Sequence, residues 1–180
     1  MKATGIVRRI DDLGRVVIPK EIRRTMRIRE GDPLEIYTDT QGEVIFKKYS
    51  PIGEMTDSAA EFAEVLAKDC TFGIAICDRD RVIAAAGISK RETVDRKLTP
   101  ELESLMESRR AYIYKAGEPE YVIPFDGVDA RASVIVPIIA SGDIIGSVVL
   151  LMNEKSRIAA DADIRLAKVA AGFLGRQMEE

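Results

Sequence analysis

The residue type best placed to do chemistry in this chain is arginine. Lys2, Arg8, Arg9, Arg15, Lys20, Arg23, Arg24, Arg27 and Arg29 crowd into the first thirty residues, against Asp11, Asp12, Glu21 and Glu30. That stretch carries +5 in a chain of 180 residues whose total is −3, so the following 150 residues carry −8. Such asymmetry suggests that the front of the chain binds a polyanion. The guanidinium is a planar fork of donors that suits phosphate oxygens and the O6 and N7 atoms of guanine. A run of charge is usually a solvated face, but these arginines are not contiguous. Arg8 and Arg9 sit near the end of one expected strand, Arg15 follows a turn, and Arg23 and Arg24 lie on a short helix. A compact fold brings such positions onto one surface.

Other chemistries are poorly supplied. Histidine and tryptophan are absent, which excludes Ser-His-Asp triads, Cys-His pairs and His-ligated zinc. No Walker-type phosphate loop, strand-linked G-x-G-x-x-G or D-x-D-x-D-G calcium loop occurs. The expectation is therefore a protein that is not an enzyme and holds no metal or cofactor. Cys70 and Cys77 stand seven apart in apolar surroundings and are read as two reduced, buried thiols, with a redox switch as the alternative. No apolar run approaches the roughly 20 residues of a membrane span, and MKATGIVRRIDD lacks the apolar core of a signal peptide. A cytoplasmic protein with no membrane partner is expected.

The elements that must position the arginines follow from turn and breaker residues. Residues 4–10 and 15–18 read as strands around the turn Asp11-Asp12-Leu13-Gly14. Pro19 stops the ladder and opens a short helix to about Met26, with Ile22 and Met26 on a buried face. Leu34–Tyr37 and Val44–Phe46 form a hairpin around Asp39-Thr40-Gln41-Gly42. A module of residues 1–50 with no cysteine and no metal site is too small to bury a sufficient core. The inference is an intertwined dimer sharing one barrel-like core. Residues 51–55, with Pro51 and Gly53, read as a linker to a second domain at 56–180.

That second domain opens on a helix with Ser58-x-x-Glu61 as a capping box. Strands follow at Phe72–Cys77, Val82–Gly87, Ala111–Tyr114, Tyr121–Ile123, Ser133–Ile139 (bulged or bent at Pro137) and Ile144–Leu151. Thr99-Pro100 opens a helix between them. With a last helix from about Ala160 to Met178, the order describes an α+β sandwich, an antiparallel sheet covered by helices. On that helix Ile164, Ala167, Ala171, Leu174 and Met178 recur at three- and four-residue spacing. The stripe either packs on the domain's own sheet or meets the helices of a partner chain, to which Ala171, Gly172 and Gly175 would allow close approach.

The segment T-G-I-V-R-x-I-D-x-L-G-R-V-V-I-P-x-E-I-R-R-T resembles the DNA-binding domain of the AbrB-like transition-state regulators, and it covers nearly the whole first module. The element order of the second resembles a GAF domain. The resemblance implies a swapped-hairpin barrel made by two chains, with DNA contacts at Arg8, Arg15, Arg23 and Arg24 and accessory roles for Lys2 and Arg9. It also implies tetramers assembled through the GAF-like helices. Proteins of this kind regulate transcription, as activators and repressors, in the forespore of endospore-forming bacteria. The expected partner is double-stranded promoter DNA, rich in A·T. A small ligand would bind between the sheet and the segments around Ser89–Arg110 and Tyr121–Ala130, with Asp126, Asp129 and Arg131 as candidate polar lining, although those charges also suit a surface loop. Two alternatives remain. One is an antitoxin-like repressor that neutralises a toxin, since such proteins share the swapped-hairpin domain. The other is a small-molecule-binding GAF protein or enzyme.

Overall fold

The computed structural model describes residues 4–117, 121–155 and 158–179. It divides the chain into two compact units, Met1–Tyr49 and Ser50–Glu180.

The first unit holds one short helix, α1 (Lys20–Thr25), and one antiparallel hairpin, β1 (Leu34–Thr38) with β2 (Val44–Lys48), in register from Leu34 opposite Lys48 to Thr38 opposite Val44. Pro19 is the N-cap of α1 rather than its first helical residue, and its carbonyl accepts from the Arg23 N–H at 2.9 Å. At the other end Arg27 adopts the left-handed φ of 52°. The Ile28 N–H then returns to the Arg23 carbonyl at 2.7 Å and the Arg27 N–H to that of Arg24 at 3.3 Å, the Schellman pattern that closes a helix. Lys48 Nζ donates to the Arg27 carbonyl at 2.9 Å and lies 3.7 Å from the buried Asp32 carboxylate, which ties the end of α1 to β2.

Two expectations for this unit differ from what is observed. Residues 4–10 and 15–18 are joined by their turn but form no strand ladder. A strand needs a neighbour to accept its hydrogen bonds, and this chain supplies one only at the turn itself. The expected buried face of Ile22 and Met26 is also missing, because α1 has no buried residue and Met26 is 59% exposed. Among the described residues of this unit Pro19 is the one apolar residue that is buried.

The second unit is a five-stranded antiparallel sheet of order β4-β3-β7-β6-β5. Its strands are β3 (Gly73–Cys77), β4 (Val82–Ala86), β5 (Tyr112–Ile113), β6 (Ala132–Ala140) and β7 (Asp143–Leu151). The central positions of β3, β7 and β6 explain their nearly unbroken apolar runs, since both faces are covered. Ile74, Ile76, Val134, Val136, Val148 and Leu150 meet α3 (Thr56–Asp69) and α6 (Asp161–Gln177) on one side. Ala75, Cys77, Ile135, Val149 and Leu151 meet Leu102 and Met106 of α5 (Pro100–Glu107) on the other. A further short helix, α4 (Lys90–Thr93), lies beyond β4. Thr99 caps α5, its Oγ1 accepting from the Leu102 N–H at 3.3 Å.

Several expected boundaries change. The 51–55 stretch is not a loose linker: Pro51–Glu54 is a helix, α2, and Ile52 is buried in the core of the second unit. Ser50 caps it, accepting from the Gly53 N–H at 3.1 Å and donating to Asp78 Oδ2 at 3.0 Å. Helix α3 begins at Thr56, so Ser58 lies inside it and forms no capping box. Residues 121–123 are not a strand; the Val122 carbonyl only accepts from Ala132. Pro137 stays paired opposite Ser147, and the register slips just after it, between Ile138 and Ile139.

Candidate nucleic-acid interface

The cationic surface belongs to the first unit. Arg8 and Arg9 lie exposed on the arm before the turn, and Arg15 follows it. On α1, Lys20, Arg23 and Arg24 fall at i, i+3 and i+4, which places them on one helical face; Lys20 and Arg24 are exposed and Arg23 is half-buried. Lys2 lies outside the described residues.

Arg15 is the most closely organised of the set. Asp11 Oδ1 accepts from the Leu13 N–H at 3.0 Å and the Arg15 N–H at 2.8 Å, while Oδ2 accepts from Arg15 Nε at 2.8 Å. Gly14, at φ 75°, completes the turn with its N–H on the Asp11 carbonyl at 3.0 Å, and the Asp11 N–H donates to the Arg15 carbonyl at 3.0 Å. The bonds from the Arg15 N–H and guanidinium hold the Asp11 carboxyl below the usual carboxylate range. The Arg15 side chain remains 68% exposed, so its guanidinium is both held and open to solvent.

The same unit leaves many apolar side chains uncovered. Val7, Ile10, Val16 and Val17 on the arms and Ile36, Val44 and Phe46 on the hairpin are exposed, Val7 to 87%. A set this large on one small unit is the mark of a surface meant to be covered.

In the second unit, the α6 stripe, which suits either its own sheet or a partner's helices, lies on the sheet of its own chain. Ala167, Ala171 and Leu174 are buried on the sheet of their own chain, and Ile164 and Met178 pack against the same core. The physical reason is Gly175: a Cβ there would lie 2.3 Å from the Ile139 carbonyl oxygen, so α6 sits almost on the backbone of β6. On the outer side of these helices, Val65 of α3 and Val169 and Phe173 of α6 are exposed, with Phe62 stacked on Phe173 at 5.2 Å between ring centres.

A shallow, open depression of about 700 Å³ lies between the start of α5 and the 123–129 loop, lined by residues that include Thr99, Glu101, Phe125, Asp126 and Asp129. The structure thus places Asp126 and Asp129 together there, whereas Arg131 lies over the Tyr121 ring at 4.8 Å. Among the described residues no group of Cys, Asp and Glu is placed to hold a metal, and no helix is long and apolar enough to cross a membrane. Burial raises the affinity of both thiols for their protons, with Asp163 adding to the effect at Cys70 and Asp78 at Cys77.

Comparison with known proteins agrees with this division. A family described as "Stage V sporulation protein T C-terminal, transcription factor" matches residues 54–179, and one described as "Antidote-toxin recognition MazE, bacterial antitoxin" matches residues 7–53. Stage V sporulation protein T of Bacillus subtilis is 48% identical over 180 residues, the whole of both chains. The transition state regulatory protein AbrB of the same organism is 52% identical over 69 residues, covering 35% of this chain and 71% of its own. The GAF domain of an Acinetobacter phosphoenolpyruvate-protein phosphotransferase overlays 73% of this chain and 84% of its own with a TM-score of 0.52 at 13% identity, a likeness of fold alone. A cationic AbrB-like unit in front of a helix-covered GAF-like sheet, matched from end to end by one relative, places the chain in the stage V sporulation protein T family of transcription factors.

Proposed function

We propose that the chain is a DNA-binding regulator of sporulation genes, activator and repressor, acting in the forespore. The carrying observation is the first unit, where Arg8, Arg15, Arg23 and Arg24 are borne by a fold that covers almost none of its own apolar residues. Two such units, each supplying arms to the other, would bury Val7, Ile10, Val16 and Val17 and double the cationic face. Phosphate contacts would then supply much of the affinity, and A·T-rich promoter DNA is the expected target. α1 is only six residues long, so shape and deformability of the duplex would contribute to sequence choice.

The second unit would join dimers into tetramers through Val65, Val169 and Phe173, which its outer helices leave uncovered, with the half-buried Phe62 stacked behind Phe173, rather than through the inward stripe. The open depression beside α5 would take a small effector. An antitoxin role, which the match of residues 7–53 raises, is disfavoured because a packed sheet follows where a toxin-binding tail would be needed. The reading is tested by titrating A·T-rich promoter duplex with wild type, Arg15→Ala and Arg23→Ala while following oligomer mass by light scattering. Loss of binding with the mass unchanged is expected; both variants binding like wild type would overturn it.

A further inference from the structure

Two turns in the first unit are built alike. Asp11-Asp12-Leu13-Gly14-Arg15 and Asp39-Thr40-Gln41-Gly42-Glu43 each begin with Asp and place Gly, at positive φ, fourth. In each, the Asp Oδ1 accepts from the N–H two residues on at 3.0 Å and from the N–H four residues on at 2.8 Å. Asp39 therefore shows what a carboxylate does when it only closes such a turn. Asp11 does one thing more: its second oxygen takes Arg15 Nε at 2.8 Å, where the second turn has Glu43 and no cation.

That extra contact is not needed for the turn. It uses the Nε–H and not the two terminal nitrogens, the pair that grips a phosphate or a base in bidentate fashion. We propose that Asp11 is a positioning residue for DNA binding: it holds Arg15 ready for a bidentate contact. This rests on the reading that Arg15 touches DNA. The inference has a sign that simple electrostatics does not share. A carboxylate beside a phosphate-binding arginine repels the duplex, so removing its charge should tighten binding if charge alone matters. If Asp11 orients Arg15, removing the charge weakens binding, because the ordering of a long side chain must then be supplied on association.

The test measures affinity for an A·T-rich duplex with wild type, Asp11→Asn, Arg15→Ala, the double variant and Asp39→Asn, all as the full chain. Asn keeps an oxygen for the two turn N–H groups but cannot accept from Arg15 Nε with its amide nitrogen. Asp11→Asn is expected to weaken binding about three- to tenfold, to cost nothing further on the Arg15→Ala background, and to melt no lower than Asp39→Asn, which leaves affinity unchanged. Binding by Asp11→Asn as tight as or tighter than wild type, or an equal loss with and without Arg15, would overturn the inference while leaving Arg15 as a contact. Unchanged binding by Arg15→Ala would remove the underlying reading as well. If Asp11→Asn does not fold, Arg15→Lys carries the test: it keeps the charge but cannot be held at Nε with two nitrogens free, so wild-type affinity there would equally overturn the inference.

Discussion

Helix α6 contains two glycines three residues apart for which the structure predicts opposite results. Gly175 faces β6, and an added Cβ would stand 2.3 Å from the Ile139 carbonyl oxygen and 3.2 Å from its carbon. Those are backbone atoms of a central strand and cannot step aside as a side-chain tip could. Overpacking of this kind costs about 3 kcal/mol at its upper range. The better helix propensity of alanine returns about 0.8 kcal/mol, so Gly175→Ala should destabilise by about 2 kcal/mol. Gly172 is on the exposed side with nothing within 4 Å of an added Cβ, so Gly172→Ala keeps the propensity gain, about 0.8 kcal/mol. For a chain of this size each kcal/mol moves the midpoint by about 2–4 °C. In scanning calorimetry of the full chain, the transition that unfolds the second unit should fall by about 4–8 °C for Gly175→Ala and rise by about 2–3 °C for Gly172→Ala. Gly175→Ala melting at or above wild type would mean that α6 does not ride on β6, and the inward assignment of Ala171 and Leu174 would fall with it.

Four further outcomes follow from particular contacts. Asp78, which is buried, accepts from Ser50 Oγ and from the Asp80 and Arg81 N–H groups, so Asp78→Ala should cost about 1–3 kcal/mol in urea unfolding; a loss below the Ser50→Ala value would contradict it. Ser141 takes the left-handed φ of 49° ahead of Gly142 in the two-residue turn between β6 and β7, and Ser141→Asn should gain about 0.5–1 kcal/mol by the same measure, since Asn tolerates that region. The Cys77 thiol is harder to ionise in the folded chain, so its folded pKa is raised and its share of stability is lost as pH climbs past the unfolded thiol's value of about 8.5. Unfolding midpoints in wild type should therefore drop more steeply above that pH than in Cys77→Ala, and parallel curves would argue against a buried thiol. Val17→Asp, on an arm with no cover of its own, should shift the light-scattering mass to half and abolish duplex binding; an unchanged mass would refute the shared core.

What could be read from the sequence depended on whether a residue's role is local. The central strands β3 and β7 were legible because Ile74–Cys77 and Val148–Leu151 are apolar on both faces, as a covered central strand must be. The α5 start was legible from Thr99-Pro100, a cap and a first-turn proline side by side. Ser50-Pro51 is the same signature, but Gly53 beside it suggested a loop, and only the burial of Ile52 decides for a helix. The α6 period was visible, yet a stripe of Ile164, Ala167, Ala171 and Leu174 looks the same whether it meets a sheet or another chain. Gly175 distinguishes the two, but only once Ile139 is seen beneath it. The arms at 4–10 and 15–18 have strand composition without a ladder, because pairing is a property of a neighbour and not of the residues themselves. In the candidate interface the arginines were legible by type and spacing. The Asp11 hold on Arg15 was not, because a turn-closing Asp and a guanidinium-orienting Asp have the same sequence pattern up to the residue that follows the glycine.

The central claim is that the arginines of the first unit form a duplex-binding face. The most direct measurement is the slope of log affinity against log salt for an A·T-rich duplex, compared between wild type and Arg23→Ala at equal oligomer mass. Each phosphate contact contributes about 0.9 to that slope, so losing one arginine from each of two chains should flatten it by about 2. Identical slopes in the two proteins, or wild-type binding that is insensitive to salt, would contradict the account.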